Sequence, residues 1–364
     1  MNTEKIIISG GGTGGHIFPA IAIANEIKQR NENADILFVG ALGKMEMEKV
    51  PQAGYSIIGL PITGFQRRIA FSNFILPFKL IYSLVKAFFI LKKFKPQAVI
   101  GVGGYASGPI VRIATMLNIP TIVQEQNSFP GKTNRILSKV VSKICVAYPN
   151  LDAFFPKEKI VLTGNPVRNE MVNIEGKRDK ALAHFKLDAT KKTMLIIGGS
   201  LGARTLNESL MKSIDKIQSV DFQVIWQCGK FYFPNYTNQT KELTSKGIHL
   251  FEFIKEMDLA YAAADVIISR AGAMSVSELT IIEKPTILVP SPNVSDDHQT
   301  HNAKSLSDAV ILIRDNEAKE KLIQASIELL NNENSAQQMA VKLRNFAIPN
   351  AAELIVNEIE KCIL

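Results

Sequence analysis

Short apolar runs alternate with amphipathic stretches along the whole chain. Lys5–Ser9 (KIIIS) reads as a strand buried on both faces, and it runs directly into glycines. A helical pattern follows from about Ile17 to Arg30. Asp35–Val39, Ala98–Val102, Thr121–Gln124 and Lys143–Ala147 read as further buried strands. The pattern pauses at Gly164-Asn165-Pro166, which reads as a linker dividing residues 1–165 from 166–346. It restarts with strands at Thr193–Ile197, Phe222–Gln227, His249–Phe251, Val266–Ser269 and Thr286–Val289. A helix is expected near Arg204–Ile214, and residues 317–345 and 350–362 also read as helical. Strands alternating with helices predict βαβ units, so the fold class is α/β with two doubly wound parallel sheets. Ligands of such sheets bind at the carboxyl ends of strands, and the expected site is an interdomain cleft.

Composition refines this picture. A length of 364 residues suits two domains. Three cysteines without a CxxC pair argue for reduced thiols, against disulfides and against zinc. The opening residues, with Glu4 before a short apolar run, do not read as a signal peptide. The net charge of +8 is unevenly spread: residues 1–170 carry 20 Lys+Arg against 10 Asp+Glu, the remainder 22 against 24. No acid occurs between Glu48 and Glu125. A basic first half implies an anionic partner.

Residues 71–95 (FSNFILPFKLIYSLVKAFFILKKFK) have the most unusual composition. Pro77, Lys79 and Lys86 interrupt them, which argues against a transmembrane span. Lys79, Lys86 and Lys93 fall seven apart, among Phe71, Phe74, Phe78, Val85, Phe88 and Phe89. An ordinary core helix with a solvated lysine face has this pattern. With Arg67 and Arg68 just upstream, contact with an anionic membrane surface is favoured, through Phe74, Phe78, Lys79 and Lys86. Nucleic acid is not expected, because no helix-turn-helix, RNP-type or zinc signature is present.

Three glycine loops follow strands: Gly10–Gly15, Gly101–Gly108 and Gly198–Gly202. Each alone is as well explained by a tight turn; three together favour phosphate binding at helix N-termini. The first loop, SGGGTGGH, fits neither usual nucleotide motif. The dinucleotide fingerprint wants an acid after the second strand, and Val39-Gly40 stands there. A P-loop wants lysine and a hydroxyl, and His16 and Ile17 stand there. A helix N-terminus favours the neutral imidazole, so His16 is read as a general base rather than a packing residue.

In the second half, Arg168 stands where it can pair with a diphosphate. The run from Ser269 to Glu278 follows a strand and enters a helix, offering another anion site. Glu278 suits ribose hydroxyls, or a capping box with Ser275. The polar cluster Asp296–Asn302 has no metal-ligand spacing, and sugar contact ranks above metal.

GGGTGGHIFPA, GVGGYASGP, QEQN, GNPVR, GGSLGA, FEFI, SRAGAMSVSE and DDHQTHNA stand here in the order found in the MurG family of bacterial N-acetylglucosaminyltransferases, which this chain resembles from about Lys5 to the last helix. The resemblance implies a GT-B fold of two Rossmann-like domains, with residues 347–364 packing back on the first. It implies UDP-N-acetylglucosamine as donor, undecaprenyl-diphosphate muramyl-pentapeptide as acceptor, and peripheral attachment at the cytoplasmic face of the cell membrane. Other proteins of cell-wall synthesis are partners in keeping with it. By motif, the donor falls to Thr13, Gly14, Gly15, Asn127, Arg168, Ser200, Ile254, the run Ala273, Met274, Ser275, Val276, Ser277 and Glu278, and Gln299. Ile254 is expected to meet the uracil through its backbone. Gly103, Gly104, Tyr105 and Glu125 fall on the acceptor side, and His16 is the catalytic base. Gln124 departs from the family, where many members have histidine. No cofactor and no metal are implied. A UDP-N-acetylglucosamine 2-epimerase of similar architecture is the alternative.

Overall fold

The computed structural model describes residues 4–63 and 72–363. The chain divides into two compact units, Met1–Val167 with Ile348–Leu364, and Arg168–Ala347.

In the first unit the strands are β1 (Lys5–Ser9), β2 (Asp35–Ala41), β3 (Ser56–Leu60), β4 (Ala98–Gly101), β5 (Thr121–Glu125), β6 (Lys143–Val146) and β7 (Ile160–Leu162). They form one parallel sheet in the order β3-β2-β1-β4-β5-β6-β7. Alternate side chains of β1 enter different cores, Ile7 on one face and Ile6 and Ile8 on the other. That is why the strand reads as a continuous apolar run. Helices α1 (Gly14–Arg30), α2 (Glu46–Gln52), α3 (Ser72–Phe94), α4 (Ser107–Met116) and α5 (Lys132–Leu137) belong to this unit. The last helix, Ala351–Ile363, buries Ile355, Val356 and Ile359 in the same core as α1. Arg30 of α1 grips it, donating to Asn357 Oδ1 (2.7 Å) and the Glu353 carbonyl (3.1 Å) and pairing with Glu360 (3.1 Å).

Helix α3 turns Ser83, Ala87, Ile90 and Leu91 inward. Phe78, Tyr82, Val85 and Phe89, at i, i+4, i+7 and i+11, form an exposed stripe. Lys86 does not share that outward role: its ammonium donates to the Gly59 carbonyl (2.9 Å). The Phe74 side chain, Phe71, Arg67 and Arg68 lie outside the described residues. Among the described residues, no helix is long and apolar enough to cross a membrane.

The second unit carries β8 (Lys192–Ile197), β9 (Phe222–Gln227), β10 (Ile248–Phe251), β11 (Val266–Ser269), β12 (Thr286–Leu288) and β13 (Ile311–Leu312), parallel in the order β10-β9-β8-β11-β12-β13. Trp226 of β9 is fully buried, and its indole N–H donates to Asn207 Oδ1 (2.9 Å). Asn207 in turn donates to the Cys228 carbonyl (2.9 Å), so a polar ring is satisfied inside the core. Strands β3, β7 and β13 are additions to the sequence reading. All three are short and all three are sheet edges, where apolar patterning is weakest.

Candidate active site

Strands β1 and β4 are neighbours whose connections lead to opposite sides of the sheet, toward β2 and β5. The crevice outside their carboxyl ends is therefore the switch point of the first unit. Loop Gly10–Gly15 leaves β1 there, and loop Gly101–Gly108 leaves β4. The two loops touch through glycine. A Cβ on Gly104 would lie 2.4 Å from the Gly11 carbonyl oxygen, and one on Gly103 would lie 2.6 Å from the His16 ring. Both residues also have φ near +90°, where a side chain is strained. Gly103 and Gly104 thus form the wall against which His16 rests. Ser107 Oγ holds the Gly104 carbonyl (2.8 Å), and Tyr105 is half exposed beside it.

Helix α1 begins at Gly14, three residues earlier than expected, because Thr13 supplies an extended N-cap. His16 is the third helical residue, and its Nδ1 lies 3.0 Å from the Gly11 carbonyl. The N–H groups of Gly14 and Gly15 lie in the first turn, where none has an intrahelical acceptor. Not all of this loop is a phosphate cradle, contrary to expectation. The Gly12 N–H is already taken by the buried carboxylate of Glu46 (2.8 Å).

Glu125 is buried at the end of β5 and is consumed by its own loop. One oxygen accepts the Asn127 N–H (3.0 Å) and side-chain amide (3.3 Å); the other accepts the Gly131 N–H (3.0 Å) and Asn134 Nδ2 (2.9 Å). It shapes the loop that presents Asn127, rather than facing solvent itself. Gln124, where the family often has histidine, donates to Asn165 Oδ1 (2.9 Å), and Asn165 donates to the Gln126 carbonyl (3.0 Å).

The second unit repeats the design between β8 and β11. Loop Gly198–Gly202 and the start of helix Ala273–Ile282 leave the carboxyl ends of these strands. An open cavity of about 1150 Å³ lies beside them, with Gly198, Gly199, Arg270, Ser275 and Gln299 in its wall. Ser200 is exposed at the loop tip, and its carbonyl accepts the Lys230 N–H (3.1 Å). Gln299 is partly committed, its Oε1 accepting the Ser291 N–H (2.8 Å). The Ile254 N–H already donates to Gln227 Oε1 (2.9 Å), so the expected backbone contact falls to its carbonyl.

Helix Ala273–Ile282 starts at Gly272 with extended backbone and no side-chain cap. Met274 and Ser275 lie in its first turn; Val276 is buried, and Ser277 Oγ returns to the Ala273 carbonyl (3.1 Å). Glu278 does not form a capping box. It accepts from the Tyr261 hydroxyl (2.8 Å). Burial pushes its carboxyl above the usual range, and the Tyr261 bond and the Arg168 charge oppose that rise.

Four residues that hold these loops had no assigned role in the sequence reading. Arg270, quoted within a motif, donates to the Val289 (2.9 Å) and Pro290 (3.2 Å) carbonyls and pairs with Asp315 (2.5 Å). Asp315 also accepts from Thr205 Oγ1 (2.8 Å), so three loops meet at one ion pair. Tyr261 and Glu46 are the others. Of these, only Glu46 had a local signal, as the lone acid nearest the end of β2. Among the described residues, no group of three or more His, Cys, Asp or Glu is placed to hold a metal.

Residues 6–146 match the glycosyltransferase family 28 N-terminal domain, and residues 193–355 match the family 28 C-terminal domain. A Flavobacterium psychrophilum protein named UDP-N-acetylglucosamine–N-acetylmuramyl-(pentapeptide) pyrophosphoryl-undecaprenol N-acetylglucosamine transferase is 53% identical over 366 residues, covering 100% of this chain and 99% of its own. The crystal structure of Acinetobacter baumannii MurG is similar with TM-score 0.78 at 31% identity, covering 98% of this chain and 99% of that one. The UDP-GlcNAc 2-epimerase of Neisseria meningitidis reaches TM-score 0.69 at 14% identity, covering 99% and 100%. That last likeness is one of fold alone. The two parallel-sheet units are those of the GT-B fold.

Proposed function

The chain belongs to glycosyltransferase family 28, and on that footing we propose that it transfers N-acetylglucosamine from its UDP donor to the 4-hydroxyl of an undecaprenyl-diphosphate-linked muramyl-pentapeptide. The observation that carries this is the 53% identity, end to end, with a relative named for that reaction. The reaction is the one that builds the lipid-linked disaccharide precursor of peptidoglycan.

The transfer is inverting. The acceptor O–H bond breaks as its proton passes to His16 Nε2. The acceptor oxygen bonds to the anomeric carbon, and the bond from that carbon to the phosphate oxygen breaks, its electron pair leaving on UDP. The charge on departing UDP is met by Arg168, Ser200 and the N–H groups at the start of helix Ala273–Ile282. Glu278 accepts from the ribose hydroxyls, Ile254 meets the uracil through its carbonyl, and Gln299 meets the sugar. Thr13, Gly14, Gly15 and Asn127 are assigned donor contacts by the family resemblance. Gly103, Gly104 and Tyr105 serve the acceptor, with Glu125 acting through the loop it holds.

The membrane proposal rests on α3. Its exposed stripe of Phe78, Tyr82, Val85 and Phe89, with Lys92 and Lys93 exposed near its end, suits an anionic membrane surface, at the cytoplasmic face where the donor is available. Lys86 is not counted there, since it is tethered to Gly59.

The decisive experiment incubates the protein with labelled UDP-N-acetylglucosamine and the lipid-diphosphate muramyl acceptor. Label is expected in the lipid product. Without acceptor, no new UDP-sugar is expected; its appearance with an unlabelled lipid would establish the epimerase instead. His16→Ala is expected to keep UDP affinity and lose turnover.

A further inference from the structure

Glu46, the first residue of α2, is completely buried beneath the first glycine loop. Both carboxylate oxygens accept backbone N–H groups, Oε1 from Ala41 (2.9 Å) and Oε2 from Gly12 (2.8 Å). Space has been cleared for it. A Cβ on Gly11 would lie 2.2 Å from its carboxyl carbon, and one on Gly40 would lie 2.6 Å from its Cγ. These two glycines come from different strand ends, and both face the same side chain.

The Gly12 N–H and the Gly11 carbonyl belong to one peptide plane. In a trans peptide they point in opposite directions. Glu46 holds one end of that plane, and His16 Nδ1 lies 3.0 Å from the other. A carbonyl only accepts, so Nδ1 must carry the proton and Nε2 the lone pair. The Thr13 hydroxyl, 3.4 Å from Nδ1, is the longer contact and can also accept.

We propose that Glu46 is a positioning residue for His16, acting through the Gly11–Gly12 peptide. It fixes the plane whose carbonyl selects the Nδ1–H tautomer and leaves Nε2 to act as base. This rests on the reading of His16 as the base. The arrangement does what a carboxylate does when it hydrogen-bonds a base histidine directly, with one peptide group interposed. No proton travels along it. The proton taken from the acceptor stays on Nε2, and the resulting imidazolium keeps its Nδ1–H on a carbonyl polarised by the buried negative charge. The same contact explains why the loop is not a full phosphate cradle: an internal anion already occupies it.

The test uses the full chain with ¹⁵N-labelled histidine. In the wild type, His16 is expected as the Nδ1–H tautomer; an Nε2–H tautomer overturns the proposal without any variant. Glu46→Gln keeps the shape but sets an amide NH₂ against one backbone N–H, so one of the two bonds is lost. That variant is expected to show mixed His16 tautomers and a kcat lower by roughly 10–100-fold, the scale of a misplaced catalytic group. KM for UDP-N-acetylglucosamine should stay within about 2-fold, since uniform binding is untouched. A lower kcat with the tautomer unchanged overturns it, because plain loss of packing would do the same. If Glu46→Gln does not fold, Glu46→Asp, which keeps the charge and loses the reach to Gly12, is read by the same criteria. His16→Ala with near wild-type turnover removes the base reading, while the tautomer result still stands or falls alone.

Discussion

Replacing Phe78 and Phe89 by serine isolates the membrane proposal from folding and from catalysis. Phe78 is 73% exposed and Phe89 is 65% exposed, eleven residues apart and so nearly in line on α3. Fully burying a phenylalanine side chain is worth about 1.5–3 kcal/mol. With some two-thirds of each ring still in water, insertion at the headgroup boundary recovers about 1–2 kcal/mol per ring. Losing both rings removes about 2–4 kcal/mol of vesicle affinity, a weakening of about 30- to 700-fold at 1.4 kcal/mol per decade. The folded protein should not notice: substitutions at exposed positions usually fall within about 0.5 kcal/mol. The assay is co-sedimentation with vesicles containing an anionic phospholipid, alongside a thermal melt and UDP affinity. Binding should collapse while the melt and UDP affinity hold. A double variant that binds vesicles as the wild type does, with an unchanged melt, would refute the assignment of this stripe to the membrane. Binding by the double variant that survives on anionic vesicles but not on neutral ones would mean the lysines, not the rings, carry it.

Gly103→Ala forces φ +96° on a residue with a side chain, at about 1–2 kcal/mol, and drives its Cβ into the His16 ring; kcat should fall steeply while UDP affinity, read by calorimetry, is retained. Tyr261→Phe removes a hydrogen bond that favours ionised Glu278, so the Glu278 pKa rises further. Donor affinity should then be lost at a higher pH than in the wild type as pH is lowered, measured as UDP affinity against pH; an unshifted acid limb would detach Glu278 from the ribose. Arg270→Ala leaves Asp315, which is mostly shielded from water, unpaired and frees two carbonyls. A loss of about 2–4 kcal/mol is expected in denaturant unfolding, together with weaker UDP binding.

Much of the chain's architecture is set by local chemistry. KIIIS, AVIG and VIIS are apolar on both faces, which only a strand covered by helices on both sides can use. Glycines at positive φ after the first two of those strands, Gly12, Gly103 and Gly104, place their loops at the switch point, because the turn is a property of the residues that make it. For the same reason His16, Arg168, Ser200 and Glu278 could be singled out from motifs alone. What those motifs could not settle is where each polar group finds its partner. Glu46 reaches Gly12 across 34 residues, Lys86 reaches Gly59 across 27, and Arg270 meets Asp315 across 45. Glu125 is spent on its own loop, and the Ile254 N–H on Gln227. These are decided only when folding brings donors and acceptors within about 3 Å and removes water, since a buried polar group must then take whichever partner the packing supplies. The central strands and their glycine loops were therefore determined by the sequence as read along the chain, while the short edge strands β3, β7 and β13 emerged only in the folded sheets. Which of the polar side chains face a ligand, and which hold the loops that do, was decided by the tertiary structure.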